Sequence, residues 1–420
     1  MLLEFKCKNF RSIKDEVVFS FLASNDNTNA NFSIVKKGDF KVLKKAIVYG
    51  ANGSGKSNFI RALQFLRNLV VNSQNHMPNH LINAQPHKKA INEDTAFSIQ
   101  FLDRKNNRYA YYVSFNTKQI TSEALYHYPN GRITKVFVRE GMEVTSGSNR
   151  NEFSFVAKQT LKENRLFLSC AAKDSNVEPI TDVYTFFDKD LIFYPKFFGF
   201  DTSEDWVVYS AQMVEKDPEL KDLFVSFNRQ LGVSELKDIK SKVVIRKIQD
   251  NLIPPFLSDD LKKSMIDSMF TETDVSYQYK DFSIKLQDES LGNQKLFQMF
   301  FPIVDALRNG RIFICDEFER SLHPLVAQKL IEIVAKNNTD AQFILTTHDV
   351  GLLNPNLFRR DEIWFTDMKN EDRSTDLYSL AELKSIRKGE IYSRNYILGK
   401  YSSIPVISPG IEELFRRIER

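Results

Sequence analysis

The stretch GANGSGKS, residues 50–57, constrains this chain more than any other. Gly50, Gly55, Lys56 and Ser57 fill the pattern G-x-x-x-x-G-K-[ST], in which backbone N–H groups surround phosphate oxygens, a lysine reaches the β- and γ-phosphates and a hydroxyl binds Mg²⁺. Such a loop needs a strand before it and a helix after it. Ala46 to Tyr49 reads as the strand, and Phe59, Ile60, Leu63, Leu66 and Val70 recur at helical spacing over Ser57 to Val71. The phosphates would then lie on a helix N-terminus, where unpaired N–H groups and the helix dipole favour anions. Asn52, Gly53, Ser54 and Asn58 complete the cradle, so ATP and Mg²⁺ are the expected ligands.

A phosphate loop also needs a carboxylate, and GRIFICDEFERSLHP supplies it far downstream. The apolar run Ile312 to Cys315 is a strand that delivers Asp316 to the metal and Glu317 to the attacking water as general base. A second apolar strand, in AQFILTTHDVGLL, ends at His348, where an imidazole can bond the γ-phosphate or the water and sense which nucleotide is bound. Upstream, Ser290, Gly292 and Gln294 open a helix carrying Leu296, Phe297, Phe300 and Ile303. Serine and glycine there form an anion site or, equally, an ordinary helix cap.

The 420 residues, 42% of them apolar, can bury a large core in two or three lobes, and no apolar run is long enough to span a bilayer. The first residues alternate like a strand and lack a signal-peptide core, so the expected location is cytoplasmic. A net charge of +4 does not indicate nucleic acid, although it leaves such contact open. Cys7, Cys170 and Cys315 lack ligand spacing and read as buried thiols, and His76, His80 and His87 read as solvated loop histidines.

Residues 1–154 read as the first part of the nucleotide domain, an antiparallel β lobe plus the phosphate loop; residues 155–270 as a mostly helical insertion; residues 271–420 as the second part. The expected fold is α/β, a P-loop NTPase with a mixed sheet. The pairs Phe186/Phe187 and Phe197/Phe198 read as core.

The order phosphate loop, insertion, S-x-G-x-Q, acidic strand end and histidine resembles the ABC-type ATPase heads of the SMC, RecF and OLD relatives. FKCKNFRSIKDEVVFSF, GANGSGKSN, NRLFLSCAAKDSN, DESLGNQKLF, DEFERSLHPLV, FILTTHDVGLL, RRDEIWF and YILGKYSSIPVI together look like the stand-alone ATPases of phage abortive-infection and defence modules, among them the AbiL-type ATPase, RloA and AriA of the PARIS system. The resemblance implies that two chains sandwich ATP, with Ser290, Gly292 and Gln294 of one meeting the phosphates on the other. It implies a homodimer or higher homo-oligomer that controls a separately encoded effector, such as a Toprim nuclease. It also implies that Arg11 reaches the nucleotide, although a turn arginine is equally readable as surface. Two departures stand out: His323 replaces the aspartate of the D-loop, and Lys173 stands where relatives show a Q-loop glutamine.

A RecF- or SMC-like DNA-repair ATPase is the competing reading, opposed by near-neutral charge and the missing coiled coil. A nuclease within the chain is the third. About 70 residues follow His348, few for a Toprim domain, and Asp376, Glu382 and Lys384 echo a nuclease triad only at short spacing. The expected activity is hydrolysis of ATP to ADP and phosphate.

Overall fold

The computed structural model describes residues 1–26, 28–195, 203–232, 235–247, 269–384, 386, 389–405 and 416, with backbone alone for 203–205, 246–247 and 269–270. Along the chain run β1 (Leu2–Lys8), β2 (Val17–Ser20), β3 (Ile34–Lys37), β4 (Phe40–Leu43) and β5 (Lys45–Tyr49). The meander β6 (Thr95–Leu102), β7 (Arg108–Phe115), β8 (Ile120–His127), β9 (Thr134–Glu140) and β10 (Glu143–Ser146) follows, then β11 (Leu191–Tyr194). Next come β12 (Asp238–Lys247), β13 (Met269–Gln278) and β14 (Ser283–Lys285), and finally β15 (Ile312–Cys315), β16 (Gln342–Thr346), β17 (Ile363–Met368) and β18 (Thr375–Ser379).

The chain forms two compact units: 1–198 with 306–319 and 327–420, and 199–305 with 320–326. The first holds two large sheets. One is antiparallel, in the order β10-β9-β8-β7-β6-β1-β2. The other, β11-β15-β16-β5-β17-β18, is parallel except for its last pair. All five residues of β5 are buried, and it lies between β16 and β17. Such central parallel strands are covered on both faces, which is why they read as unbroken apolar runs.

The helix Lys56–Asn72 leaves the loop after β5 and packs in one core with both sheets. Phe59 lies 4.9 Å from Phe19 and 6.1 Å from Phe5, ring centre to ring centre, and Phe65 lies 5.4 Å from Phe10. Each such side chain stabilises the lobe by about 1.5–3 kcal/mol through burial. The phosphate loop is thereby held at both ends, by a central strand and by a packed helix.

A buried ion pair anchors the antiparallel sheet. Glu123 and Arg139 are both fully buried. Glu123 accepts hydrogen bonds from the N–H groups of Phe167 (2.7 Å) and Leu168 (2.9 Å) at the start of the helix Phe167–Asp174, and from the Tyr111 hydroxyl. Arg139→Ala would strand a buried carboxylate, so a loss of about 3–5 kcal/mol is expected in denaturant unfolding, with Glu123→Gln milder because one amide oxygen can still accept from the Leu168 N–H and the Tyr111 hydroxyl and no charge is left buried.

The stretch read from 155 as a helical insertion begins with residues that group with the first unit, which runs to 198. The helices Arg150–Gln159, Phe167–Asp174 and Glu178–Thr185 belong to the first unit, where Phe153, Phe167 and Ile180 join the same core as the sheets. Phe186 and Phe187 are buried there, Phe186 stacking on Phe101 at 3.7 Å, whereas Phe197 and Phe198 lie outside the described residues. The polarity that gave this stretch its different texture belongs to the exposed positions of these helices, such as Lys158, Lys173 and Asp174.

The second unit combines the helices Ser203–Lys216, Pro218–Gln230 and most of Leu291–Asn309 with the three-stranded sheet β12-β13-β14, which the sequence reading did not place. β12 alternates Ile239, Ser241, Val243 against Lys240, Lys242, but lysines at every second position masked the period. Its core gathers Phe224, Val275, Tyr277, Phe297 and Phe301. Of the loop histidines, His87 proves buried: its N–H donates to Asn9 Oδ1 at 2.8 Å and its Nδ1 accepts from the Lys89 N–H.

Candidate functional site

The loop Gly50–Gly55 has to turn sharply from β5 into the helix, and two of its glycines are compelled by close approach. A Cβ on Gly50 would lie 2.3 Å from Thr366 Oγ1, and one on Gly55 would lie 2.1 Å from Thr375 Oγ1, at a φ of +113°. Thr366 arrives by register, because β17 pairs in parallel with β5 and sets Phe365 beside Tyr49. The two threonines also hold the loop: Ser54 Oγ and Thr366 Oγ1 are 2.6 Å apart, and Thr375 Oγ1 donates to the Ser54 carbonyl at 2.9 Å.

Lys56 is buried and donates to the carbonyl of Gly50 at 2.7 Å and of Ala51 at 3.2 Å, so its ammonium lies folded over the loop. Burial brings its pKa down to about 8, against an upward pull from Asp316, Glu319 and Glu317. An anion entering the loop would favour the charged form and compete with those two carbonyls. Asn52 and Gly53 are exposed at the loop's crest.

Asp316 and Ser57 meet across the sheet. The Ser57 hydroxyl donates to Asp316 Oδ2 at 2.7 Å, and the Asp316 N–H donates to the Tyr194 carbonyl of β11 at 2.9 Å. Glu317 follows with a φ of +49°, a left-handed conformation that costs a non-glycine residue about 1–2 kcal/mol. His348 stands just past β16 with its N–H on Glu319 Oε1 at 2.7 Å. Burial and then the Lys56 charge hold its imidazole below the ordinary value, partly offset by Glu319, Glu317 and Asp316, which leaves it neutral at pH 7.

Lys56, Ser57, Asp316, Glu317 and His348 therefore share one end of the parallel sheet. Hydroxyl and carboxylate oxygens suit Mg²⁺, a hard cation held by one or two carboxylates plus phosphate oxygens. The buried lysine and the helix N-terminus that follows the loop suit a phosphate chain. Among the described residues no group of three or more His, Cys, Asp or Glu forms a separate metal cage.

Asn58 donates to Ser12 Oγ at 2.7 Å, and Ser12 Oγ lies 2.7 Å from Thr375 Oγ1, to which it can donate its own proton. Its neighbour Arg11 lines a cleft of about 770 Å³ with Ser12, Asn58, Lys88, Lys89 and Arg373. Burial, and then Arg61, lower the Arg11 pKa.

Ser290, Gly292 and Gln294 belong to the second unit. The Ser290 hydroxyl accepts the Asn293 N–H at 3.2 Å, and Gln294 donates to the Glu289 carbonyl at 2.8 Å. A Cβ on Gly292 would lie 3.0 Å from the Ser321 carbonyl, which accounts for glycine there without any ligand. Ser290 is exposed and Leu291 is 69% exposed, so the start of this helix faces solvent.

The outlying candidates have local roles. His323 Nδ1 accepts the Leu325 N–H at 3.2 Å and caps the helix Pro324–Ala335. Lys173 is exposed in the last turn of Phe167–Asp174. Glu382 caps the turn Leu380–Glu382 through the Ser379 N–H, and Asp376 Oδ1 accepts the Leu377 N–H. The sequence reading missed Ser12, Glu319, Thr346, Thr366 and Thr375. Glu319 and Thr346 stand beside recognised motifs, whereas Thr366 and Thr375 reach the loop only through sheet pairing.

A phosphate loop on a central strand and an acidic strand end two strands away in the same parallel sheet define a P-loop nucleotide-binding fold. More narrowly, the chain belongs to the family described as "AAA domain, putative AbiEii toxin, Type IV TA system", whose model matches residues 45–354, more than half of the sequence. No curated protein matches it. Solved structures with a similar arrangement include the SmcHead bound to the C-winged helix domain of ScpA (12% identity, 90% of this chain and 97% of that chain, TM-score 0.45). The SMC head domain from Thermotoga maritima is another (11% identity, 90% and 98%, TM-score 0.42). No helix among the described residues is long and apolar enough to cross a membrane.

Proposed function

We propose that this chain hydrolyses ATP to ADP and phosphate with Mg²⁺, and that it does so as a nucleotide-gated regulatory subunit. The observation that carries the catalytic half is the 2.7 Å bond between Ser57 and Asp316, which joins loop and carboxylate across 259 residues of sequence. In this reading the loop from Gly50 to Gly55, with Asn52, Gly53, Ser54 and Asn58, surrounds the phosphates, and Lys56 leaves the two carbonyls it now satisfies for phosphate oxygens. Ser57 and Asp316 hold Mg²⁺, which when bound neutralises charge building on those oxygens. Glu317 accepts the proton of the attacking water, and neutral His348 bonds the γ-phosphate or that water. Arg11 reaches the nucleotide from the adjoining cleft.

The signature residues act on a second copy. Ser290 and Leu291 are exposed, and among the described residues the serine hydroxyl bonds the Asn293 N–H one turn on, which supports a site completed by another chain and hence a homodimer or higher homo-oligomer. The family description names a toxin–antitoxin setting, which supports control of a separately encoded toxic effector. The second unit is the surface on which it would dock. There Lys221 is paired with Asp238 at 3.0 Å, so a charge-reversal test on Lys216, Lys221 and Lys237 should treat Lys221 apart.

Phosphate release by the purified chain tests the catalytic half. Turnover should require Mg²⁺ and stop with chelator, and Lys56→Ala should lose nucleotide binding, since a charge-assisted contact is worth about 1.5–3 kcal/mol and more when buried. Turnover that persisted in chelator, or unchanged binding by Lys56→Ala, would overturn the assignment. Co-purification with the product of the neighbouring gene, dependent on nucleotide, tests the regulatory half.

A further inference from the structure

The turns after β15 and β16 hold each other through two side chains, Thr346 and Glu319, to which the sequence motifs assign no role. Thr346, fully buried at the end of β16, reaches toward the turn after β15: its Oγ1 donates to Asp316 Oδ1 at 2.5 Å and accepts the Glu317 N–H at 2.9 Å. Its carbonyl accepts the Phe318 N–H at 3.0 Å. Glu319 reaches the other way, with Oε1 on the His348 N–H at 2.7 Å. Its Oε2 is buried and has no hydrogen-bond partner among the described residues.

We infer that Thr346 and Glu319 form a reciprocal clamp that sets the general base and the sensing histidine in register, making both of them positioning residues for hydrolysis. The inference rests on the ATPase reading above. The physical need is visible in the backbone. Glu317 sits at a φ of +49°, a conformation that persists only where surrounding contacts over-determine it. The Thr346 hydroxyl satisfies the N–H of that residue while fixing the carboxylate of the residue before it, so one atom sets the relative placement of Asp316 and Glu317. A hydroxyl is required because it must donate and accept at once. Glu319 carries the same constraint to His348 by accepting its backbone N–H. If the strand ends moved independently, base and histidine could each be correctly built and still be misaligned, and small misplacements of a reacting group are costly.

Thr346→Val removes the hydroxyl and keeps the shape, whereas Thr346→Ser keeps the hydroxyl. Glu319→Ala removes the acceptor for His348, whereas Glu319→Gln keeps an oxygen for it. The measurements are kcat, the dissociation constant for a fluorescent ATP analogue, and thermal unfolding. Thr346→Val and Glu319→Ala are expected to lower kcat about 10–100-fold, as removal of an orienting neighbour does, with the dissociation constant and unfolding temperature near wild type. Thr346→Ser and Glu319→Gln should recover most of the rate. Wild-type turnover by Thr346→Val, or equal loss in Thr346→Ser and Thr346→Val, would overturn the clamp. If Thr346→Val does not fold, the two Glu319 variants decide on the same criteria. Glu317→Gln run alongside separates the two failures: an inactive Glu317→Gln beside a fully active Thr346→Val defeats only the clamp, whereas an active Glu317→Gln defeats the reading beneath it.

Discussion

Glu317→Gln should bind ATP as the wild type does and turn it over about 10²–10⁴-fold more slowly, the usual worth of a positioned general base. The amide keeps the size and hydrogen-bonding reach of the carboxylate but cannot take a proton from water. The backbone argues against a folding defect, since the φ of +49° at this position is held by the Thr346 hydroxyl on the main-chain N–H, which the substitution leaves intact. Phosphate release under saturating nucleotide, with binding followed separately, reads the effect. A variant that hydrolysed ATP at the wild-type rate would show that another group is the base, and would point to Glu319, whose buried Oε2 has no hydrogen-bond partner among the described residues.

The second large effect concerns two chains. Ser290→Arg should retain nucleotide binding and lose turnover, because the exposed serine at this helix start is where a phosphate on another copy would approach, and an arginine fills that space. Lys56→Ala should be inactive for want of binding. Mixed in equal amounts, half of the dimers pair unlike chains, each with one complete site of two, so about a quarter of wild-type turnover should reappear if the sites act independently. Activity that stays at the level of the parents, with mixed dimers present by native mass spectrometry, would place all catalytic groups within one chain.

Much of the site was legible because its chemistry sits in contiguous motifs. A phosphate loop needs its glycines, lysine and hydroxyl in one turn, and an acidic strand end needs an apolar strand just before it. β5 and β15 therefore lie where apolar runs said they would, and Ser57 and Asp316 meet as members of one sheet. What was not legible is of another kind. The strand β12 was hidden because lysines on its polar face lowered its apolar signal below that of the helices around it. The helices of 150–185 read as a separate layer because polar residues are interspersed along them, although Phe153, Phe167 and Ile180 join the core of the first unit.

The sequence by itself determined the class of chemistry: a strand, a glycine loop and a helix for phosphates, a distant strand delivering adjacent carboxylates, and a histidine at the end of another. These features are local, and each needs only a few consecutive residues in the right order. Only the tertiary structure decided why Gly50 and Gly55 tolerate no side chain, since the atoms that exclude one belong to Thr366 and Thr375, more than 300 residues away. It alone decided that Thr346 and Glu319 cross between two turns, one bonding the Glu317 N–H and the other the His348 N–H. Sheet register brings such residues face to face, and register follows from packing the whole core, which no short stretch of sequence encodes.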